Sequence, residues 1–297
     1  MTASVTGTAT DFDDLFAQFR TFITSNATLV GAGEDWTENK YVATADAKEL
    51  YLEGPGLGGL DNIFVNLRQT VDIPTGYWNL GFRGAESFDG GLAFELQPNA
   101  SNETFSPVWD NATPYWFVAD GRRFIIMLNV NGSFMGCYCG LFLPYATSGE
   151  YPYPMYIAAN TATETTLASS TSTELRAFWE PGNQAAFLLR IDHTWQEIQN
   201  RSGGNAQNDH NCWPWTGESG ISSWGPNLDG SYLTMPAVLH SNGFGGNIYG
   251  ELPGVFWVSG RGSQASENTF IITAENYTVF QGIARTGAAD FAAIKME

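Results

Sequence analysis

The stretch 114–145 carries the clearest pattern of the chain, with three runs of aromatic and β-branched residues separated by two turn dipeptides. The first two runs meet at Asp120 and Gly121, and the second meets the third at Asn131 and Gly132. Both dipeptides tolerate the positive φ angles that the type I′ turn of a tight hairpin requires. The pattern therefore predicts a three-stranded antiparallel meander.

A strong helical period occurs in the stretch 11–25. Thr10 or Asp11 is a suitable N-cap, and Asp13 and Asp14 follow at the positive end of the helix dipole. Apolar residues recur there at steps of three and four, which predicts one amphipathic helix. We expect this helix to cover a sheet, although its apolar face could also dock a partner. The apolar positions are Phe12, Leu15, Phe16, Phe19, Phe22 and Ile23.

Further β-type runs predict strands at 49–53, 62–72, 77–83, 231–239, 246–250, 254–259, 268–273 and 277–285. The chain contains 10 Trp, 12 Tyr, 20 Phe and 33 Gly residues, and only 15% of its residues are charged. This composition is typical of turn-rich β architecture. We predict a mainly β fold of antiparallel sheets in a sandwich-like arrangement, with one N-terminal amphipathic helix.

A segment rich in Ser and Thr, 161–173, divides the 297 residues almost in half. Such low complexity predicts a loop or a weak domain boundary. We assign 1–160 to a region with the helix and the meander, and 161–297 to a second β region with a long irregular loop at 200–230. The two regions could also form a single domain.

The formal net charge is −18, and the 13 Lys and Arg residues form no basic stripe. Such a chain repels phosphate backbones and anionic membrane surfaces, so we expect no nucleic-acid partner. Its apolar runs are shorter than the roughly 18 residues of a membrane span, and its first residues lack the pattern of a signal peptide. We therefore expect a protein that is made in the cytoplasm and does not insert into membranes.

Four residues are candidate metal ligands. Cys137 and Cys139 are two apart on a predicted strand, and His210 and Cys212 have the same spacing, so that together they would supply a structural zinc site. A disulfide between Cys212 and one of the pair is an alternative. We favour packed, reduced thiols and expect no cofactor, because Cys-x-Cys is an unusual zinc motif and free cysteine is common in cores.

Catalytic motifs are weak in this sequence. The chain has 3 His residues and no Gly-x-Ser-x-Gly elbow, and its 31 acidic residues allow carboxylate pairs to be chosen at will. Asp192 and His193 are adjacent on a predicted strand, so their side chains would point to opposite faces. We predict that the protein is not an enzyme.

Three tryptophans, Trp213, Trp215 and Trp224, lie in the irregular loop at 200–230. A long loop in a compact protein is more often functional than incidental. Its tryptophans could anchor the loop in a subunit interface or stack on the sugar rings of a glycan. We favour the interface.

Several segments resemble virion proteins of tailed bacteriophages. The resemblance is carried by the N-terminal helix and by 27–36, 49–57, 115–125, 142–147, 151–154, 249–257 and 290–297. It spans most of the chain and leaves 161–230 poorly covered. Members of this group are described as virion or tail structural proteins, so the resemblance implies a location and supplies no catalytic residues.

The resemblance implies a virion structural component, tail or baseplate-proximal, that contacts other virion proteins. A strongly acidic β protein rich in Gly and aromatic residues suits a homo-oligomer in a symmetric assembly. An adhesin that binds host-surface glycan through 205–230 is the alternative hypothesis. A head decoration protein is a further one.

Overall fold

The computed structural model describes residues 1–44, 47–56, 61, 63–72, 74–146, 154–166, 175–182, 184–199, 210–215, 224–241, 247–262, 264–272 and 274–296. Within these ranges the chain forms three antiparallel sheets and one N-terminal helical segment. The predicted fold class, mainly β with antiparallel sheets and an N-terminal helix, is confirmed.

Seven strands form the central sheet. From one edge to the other they are β1 (Ala3–Ala9), β7 (Thr113–Asp120), β8 (Arg123–Val130), β9 (Ser133–Leu141), β11 (Met155–Ala158), β12 (Ala186–Leu189) and β13 (Trp195–Glu197). Strands from both sides of residue 160 therefore share one sheet, and the predicted boundary does not divide the chain between sheets.

The other two sheets flank the central one. The N-terminal sheet consists of β2 (Thr37–Ala43), β3 (Lys48–Gly54), β4 (Ile63–Asp72), β5 (Tyr77–Ala85) and β6 (Thr104–Val108). The C-terminal sheet consists of β14 (His210–Trp213), β15 (Thr234–Ser241), β16 (Ile248–Val258), β19 (Phe291–Lys295), β18 (Glu275–Gln281) and β17 (Thr269–Ile272), with β10 (Leu143–Pro144) added to β16. The strands predicted at 246–250 and 254–259 are thus one strand, β16.

The predicted meander is confirmed as β7, β8 and β9, with one turn shifted. Asn131 and Gly132 have φ angles of 52° and 84°, as the expected type I′ turn requires. At the first turn Asp120 pairs with Arg123, so the turn residues are Gly121 and the arginine that follows it. Gly121 is needed here for space, because a Cβ at this position would lie 2.9 Å from the Gly56 carbonyl oxygen.

The predicted helix is confirmed as α1 (Phe12–Ser25), and a short helix, α2 (Ala27–Ala32), follows it. The Asp11 side chain caps α1 by accepting a hydrogen bond from the backbone N–H of Asp14 at 2.8 Å. All six apolar positions of the predicted stripe are buried, and the Phe19 ring packs on the rings of Phe117 and Phe124 of the central sheet. Among the residues that the structure describes, no helix is long and apolar enough to cross a membrane.

The central sheet is buried on both faces. Ile126 and Cys137 face a core that they share with α1 and the N-terminal sheet. Ile125 and Tyr138, on the opposite face, belong to a second core with the C-terminal sheet. The alternation of side chains along β8 and β9 therefore builds both cores and produces a three-layered arrangement of sheets. A smaller apolar cluster lies on the C-terminal sheet and includes Tyr277 and Phe291.

Candidate functional site

Trp213 and Trp215 pack against the core of the chain itself. Trp213 ends β14, where it pairs with Val238, and its side chain is half-buried against the second core. Trp215 is 8% exposed, and its ring centroid lies 6.2 Å from that of Trp179. Trp215 is thus buried and Trp213 is half-buried against the core of the chain, and the proposed role of these rings in an interface or a glycan site stays a prediction. The parts of that loop at 200–209 and 216–223 lie outside the described residues.

Trp224 is the one predicted interface tryptophan that remains largely accessible, with 47% of its surface exposed. Its backbone carbonyl accepts a hydrogen bond from the Ser259 hydroxyl. Further along the same segment, the Tyr232 hydroxyl lies 2.9 Å from the Arg261 carbonyl oxygen and 2.8 Å from that of Gly262. Both ends of the segment 224–232 are therefore hydrogen-bonded to residues that directly follow β16.

The candidate metal ligands are divided between two cores. Cys137 and Cys139 share one face of β9, as predicted, and lie in the core beneath α1. Cys212 lies in the second core, on the other side of the central sheet. Burial raises the pKa of the Cys139 and Cys212 thiols, which disfavours the thiolate form that zinc requires. The His210 side chain lies outside the described residues, and within the described part no three His, Cys, Asp or Glu residues form a metal-binding group.

A buried carboxylate on the N-terminal sheet is fully engaged by arginine. Both oxygens of Glu103 accept hydrogen bonds from Arg68, at 2.7 Å from Nε and 2.6 Å from Nη2. Burial raises the pKa of Glu103, and the Arg68 hydrogen bonds act in the opposite direction. The Arg68 guanidinium also lies 4.9 Å from the centre of the Phe94 ring. This geometry fixes the side chains on the sheet, as a bidentate arginine–carboxylate pair does in many proteins.

An open cleft of about 770 Å³ lies at the C-terminal sheet, between 230–234 and 264–271. We call it the outer cleft. Its polar lining includes Ser231, Gln264 and Asn268, and two aromatic rings, those of Tyr232 and Phe270, also line it. The Phe270 ring stacks on Tyr277 with a centroid distance of 5.9 Å and an interplanar angle of 15°. The cleft thus combines hydrogen-bonding side chains with a fixed aromatic surface.

Strand β17 forms one rim of the outer cleft and an edge of the C-terminal sheet. Within the described part of the chain it pairs with β18 alone. None of its four residues is charged, and Ile271 is 69% exposed. Leu228 and Leu233, near the opposite rim, are also exposed. We call β17 together with Leu228 and Leu233 the C-terminal face.

The C-terminal face departs from the usual surface of an isolated protein. Edge strands in monomers are normally protected by charged residues, prolines or bulges, since their free N–H and C=O groups pair readily with another chain. Neighbouring exposed apolar side chains also mark interaction sites. Glu267 and Asp229 place negative charge around this face, and the hydrogen bonds that Asp229 accepts from Ser231 hold its pKa below the ordinary value.

Comparison with known proteins does not identify a family or a function for this chain. No protein-family model matches the chain, and the comparison with curated proteins found no match. The strand at 268–273 is predictable from its β-type residues, but its exposure at a sheet edge depends on strand order, which local pattern does not specify.

Proposed function

We propose that this protein is a structural component of a tailed-phage virion, tail or baseplate-proximal, which binds other virion chains through the C-terminal face. The observation that carries the proposal is the uncharged strand β17, which pairs with β18 alone within the described residues, together with exposed Leu228 and Leu233 near the opposite rim of the outer cleft. Resemblance to tailed-phage virion proteins supports the location. Strand addition at a free sheet edge supports the mode of binding, because main-chain hydrogen bonds supply the affinity.

Charge favours the same surface for contact between copies. A chain with a net charge of −18 repels its own copies over most of its surface. The exposed side chains of Leu228, Leu233 and Ile271 carry no charge, so two copies approach there at the lowest electrostatic cost. Glu267 and Asp229 then belong to the polar rim that surrounds the core of an interface.

The test compares two isoleucines of similar exposure. Ile271 lies on β17, whereas Ile191, 63% exposed, lies between β12 and β13 of the central sheet. We expect Ile271→Lys to abolish incorporation into phage particles, measured by mass spectrometry of purified particles. Ile191→Lys is the matched control and should be incorporated normally. Equal incorporation of both folded variants would contradict assembly through the C-terminal face.

The lining of the outer cleft favours a second candidate function, binding of a host-surface glycan by an adhesin. Sugar sites combine polar side chains with aromatic surfaces, and Gln264, Asn268 and Phe270 provide both. This cleft is distinct from the tryptophan site predicted from sequence, of which Trp215 is buried and Trp224 is exposed. If the outer cleft binds glycan, we expect particles that carry Gln264→Ala or Asn268→Ala to assemble normally but not to adsorb to host cells. Normal adsorption of both variants would remove this candidate.

A further inference from the structure

A groove of about 440 Å³ lies between helix α1 and strand β1, at one edge of the central sheet. We call it the helix-edge groove. Val5, Phe22 and Tyr115 contribute to its apolar lining. Its polar lining comes mainly from one flank of α1, whose residues recur at steps of three and four. The residues of this flank are Asp14, Gln18, Thr21 and Ser25.

The two flanks of α1 differ in what covers them. On the flank away from the groove, Arg20 donates hydrogen bonds to both carboxylate oxygens of Glu38 in β2, and its guanidinium lies 3.8 Å from the centre of the Tyr41 ring. On the flank that lines the groove, Thr21 and Ser25 are exposed. One side of the helix is therefore packed against the N-terminal sheet, and the other is open to a partner.

The hairpin of β7 and β8 determines which backbone groups of β1 are free. Asp120 and Arg123 flank a two-residue turn, and residues in this position form a hydrogen-bonded pair. Bonding direction alternates along an antiparallel strand, so Phe117, three positions before Asp120, bonds to β1 instead. Phe117 pairs there with Val5. The backbone groups of Val5 are therefore directed at β7.

The same alternation directs the N–H and C=O groups of Ser4, Thr6 and Thr8 away from β7. Among the described residues, none of these groups bonds to the backbone of another element. Thr6 and Thr8 are exposed, and no residue of β1 is charged. Strand β1 thus presents three consecutive outward positions to which a further strand can bond.

Tyr115 fixes the floor of the helix-edge groove. Its hydroxyl donates a hydrogen bond to Gln18 of α1, and its ring stacks on Phe117 with a centroid distance of 4.1 Å. Gly7 leaves room for this ring, because a Cβ at this position would lie 2.5 Å from the tyrosine hydroxyl oxygen. The helix and the strand are therefore held at a fixed separation before any partner binds, which reduces the entropic cost of binding.

Asp14 is the only charged residue among the described residues that line this groove. Its Oδ2 accepts hydrogen bonds from the Thr10 N–H and from Gln18 Nε2, each at 2.8 Å. The hydrogen bond from Thr10 lowers the pKa of Asp14, so the carboxylate is charged at neutral pH. A second copy of the chain, with its net charge of −18, is repelled from this groove, whereas a cationic segment is attracted.

We propose that the helix-edge groove binds an extended segment of another protein, which adds to β1 as a strand and carries a lysine or arginine beside Asp14. The outward backbone groups of β1 supply the main-chain hydrogen bonds. Val5 and Phe22 contact an apolar side chain of the segment, and the basic residue sets its register. This surface lies on the central sheet and is separate from the C-terminal face.

The test begins with a selection of random nine-residue peptides, displayed on messenger RNA, on the immobilised full chain. We expect the enriched peptides to alternate β-branched or aromatic residues with polar ones and to hold lysine or arginine at one fixed position. Synthetic copies of the most enriched peptides are then titrated against the protein by fluorescence anisotropy.

The decisive variant is Thr6→Pro, which removes an outward N–H and should weaken peptide binding by at least roughly tenfold. Proline is tolerated on an edge strand where the missing N–H faces solvent, so this variant is expected to fold. Thr6→Val retains the N–H and is the matched control, which should bind normally. Asp14→Asn should weaken binding by about two- to fivefold at low salt, as expected for loss of an exposed ion pair.

Three results would overturn the proposal. The first is no enrichment over the bare support, or enrichment of peptides without lysine or arginine. The second is undiminished binding by folded Thr6→Pro; if circular dichroism shows this variant to be unfolded, undiminished binding by Asp14→Asn counts instead. The third is a dimer of the unaltered chain in analytical ultracentrifugation that Thr6→Pro, but not Thr6→Val, dissociates, since this would identify a second copy as the occupant.

Discussion

At the scale of single residues, Phe124 links the meander to the helix. Its ring centroid lies 5.0 Å from that of Phe19 in α1 and 5.4 Å from that of Trp36. Trp36 Nε1 in turn donates a hydrogen bond to the Asp120 carbonyl oxygen at 2.9 Å, at the end of β7. One side chain of β8 thus contacts the aromatic residues that position α1 and the chain after it.

Removal of this ring should be strongly destabilising. Phe124 is fully buried, so Phe124→Ala should lower the free energy of unfolding by about 3–5 kcal/mol, through lost transfer energy and the cavity that remains. Urea denaturation measures this change. The exposed Leu96→Ala is the control and should change stability by less than about 0.5 kcal/mol. A cost below about 1 kcal/mol for Phe124→Ala would contradict the packing described.

His240 should make stability depend on pH. Burial lowers the pKa of His240, and its Nε2 has no hydrogen-bond partner among the described residues. The folded state favours neutral imidazole, so the unfolded chain binds more protons near its pKa of about 6.5. The stabilisation that comes from a neutral His240 is therefore complete above about pH 6.5. It is lost as the pH falls from that value towards the lower pKa of His240 in the folded state.

Denaturation curves between about pH 8 and 5 test this expectation. His240→Gln should reduce the loss of stability on acidification. An unchanged pH dependence in His240→Gln would show that the imidazole is not responsible.

At the scale of elements, the predictable parts are those with local signals. The α1 stripe and the turn at Asn131 and Gly132 specify their own structure from neighbouring residues. Strands β1, β11 and β12 were not predicted, because β1 consists mainly of small and polar residues and the other two are only four residues long. Burial of Trp215 was not predictable either, since it depends on the pairing of β14 with β15, across residues distant in sequence.

Two glycines separate backbone effects from packing effects. A Cβ at either Gly132 or Gly31 would meet no atom within 4 Å. Gly132→Ala should nevertheless be destabilising by about 1 kcal/mol, because its φ of +84° is strained for alanine. Gly31→Ala in α2 should be neutral or stabilising by up to about 1 kcal/mol. Thermal unfolding of both variants measures the difference, and equal effects would contradict the positive φ at Gly132.

At the scale of the whole molecule, the central sheet joins regions that sequence composition separates. Strands β12 and β13 complete a sheet that begins with β1, and β10 pairs with β16 of the C-terminal sheet. Of the segment 161–173, only 161–166 belong to the described residues, and its low complexity gives no information on strand order. The same limit applies to the candidate site, since β17 is an edge strand, within the described part of the chain, only through the order of β16, β19, β18 and β17.

The position of the chain in a reconstruction of an intact tailed-phage particle tests the proposed assembly most directly. We predict that the chain lies in the tail or baseplate, with β17 paired to a strand of another chain and with Leu228 and Leu233 covered by it. A particle that lacks the chain, or one in which β17 and both leucines face solvent, would contradict the proposal.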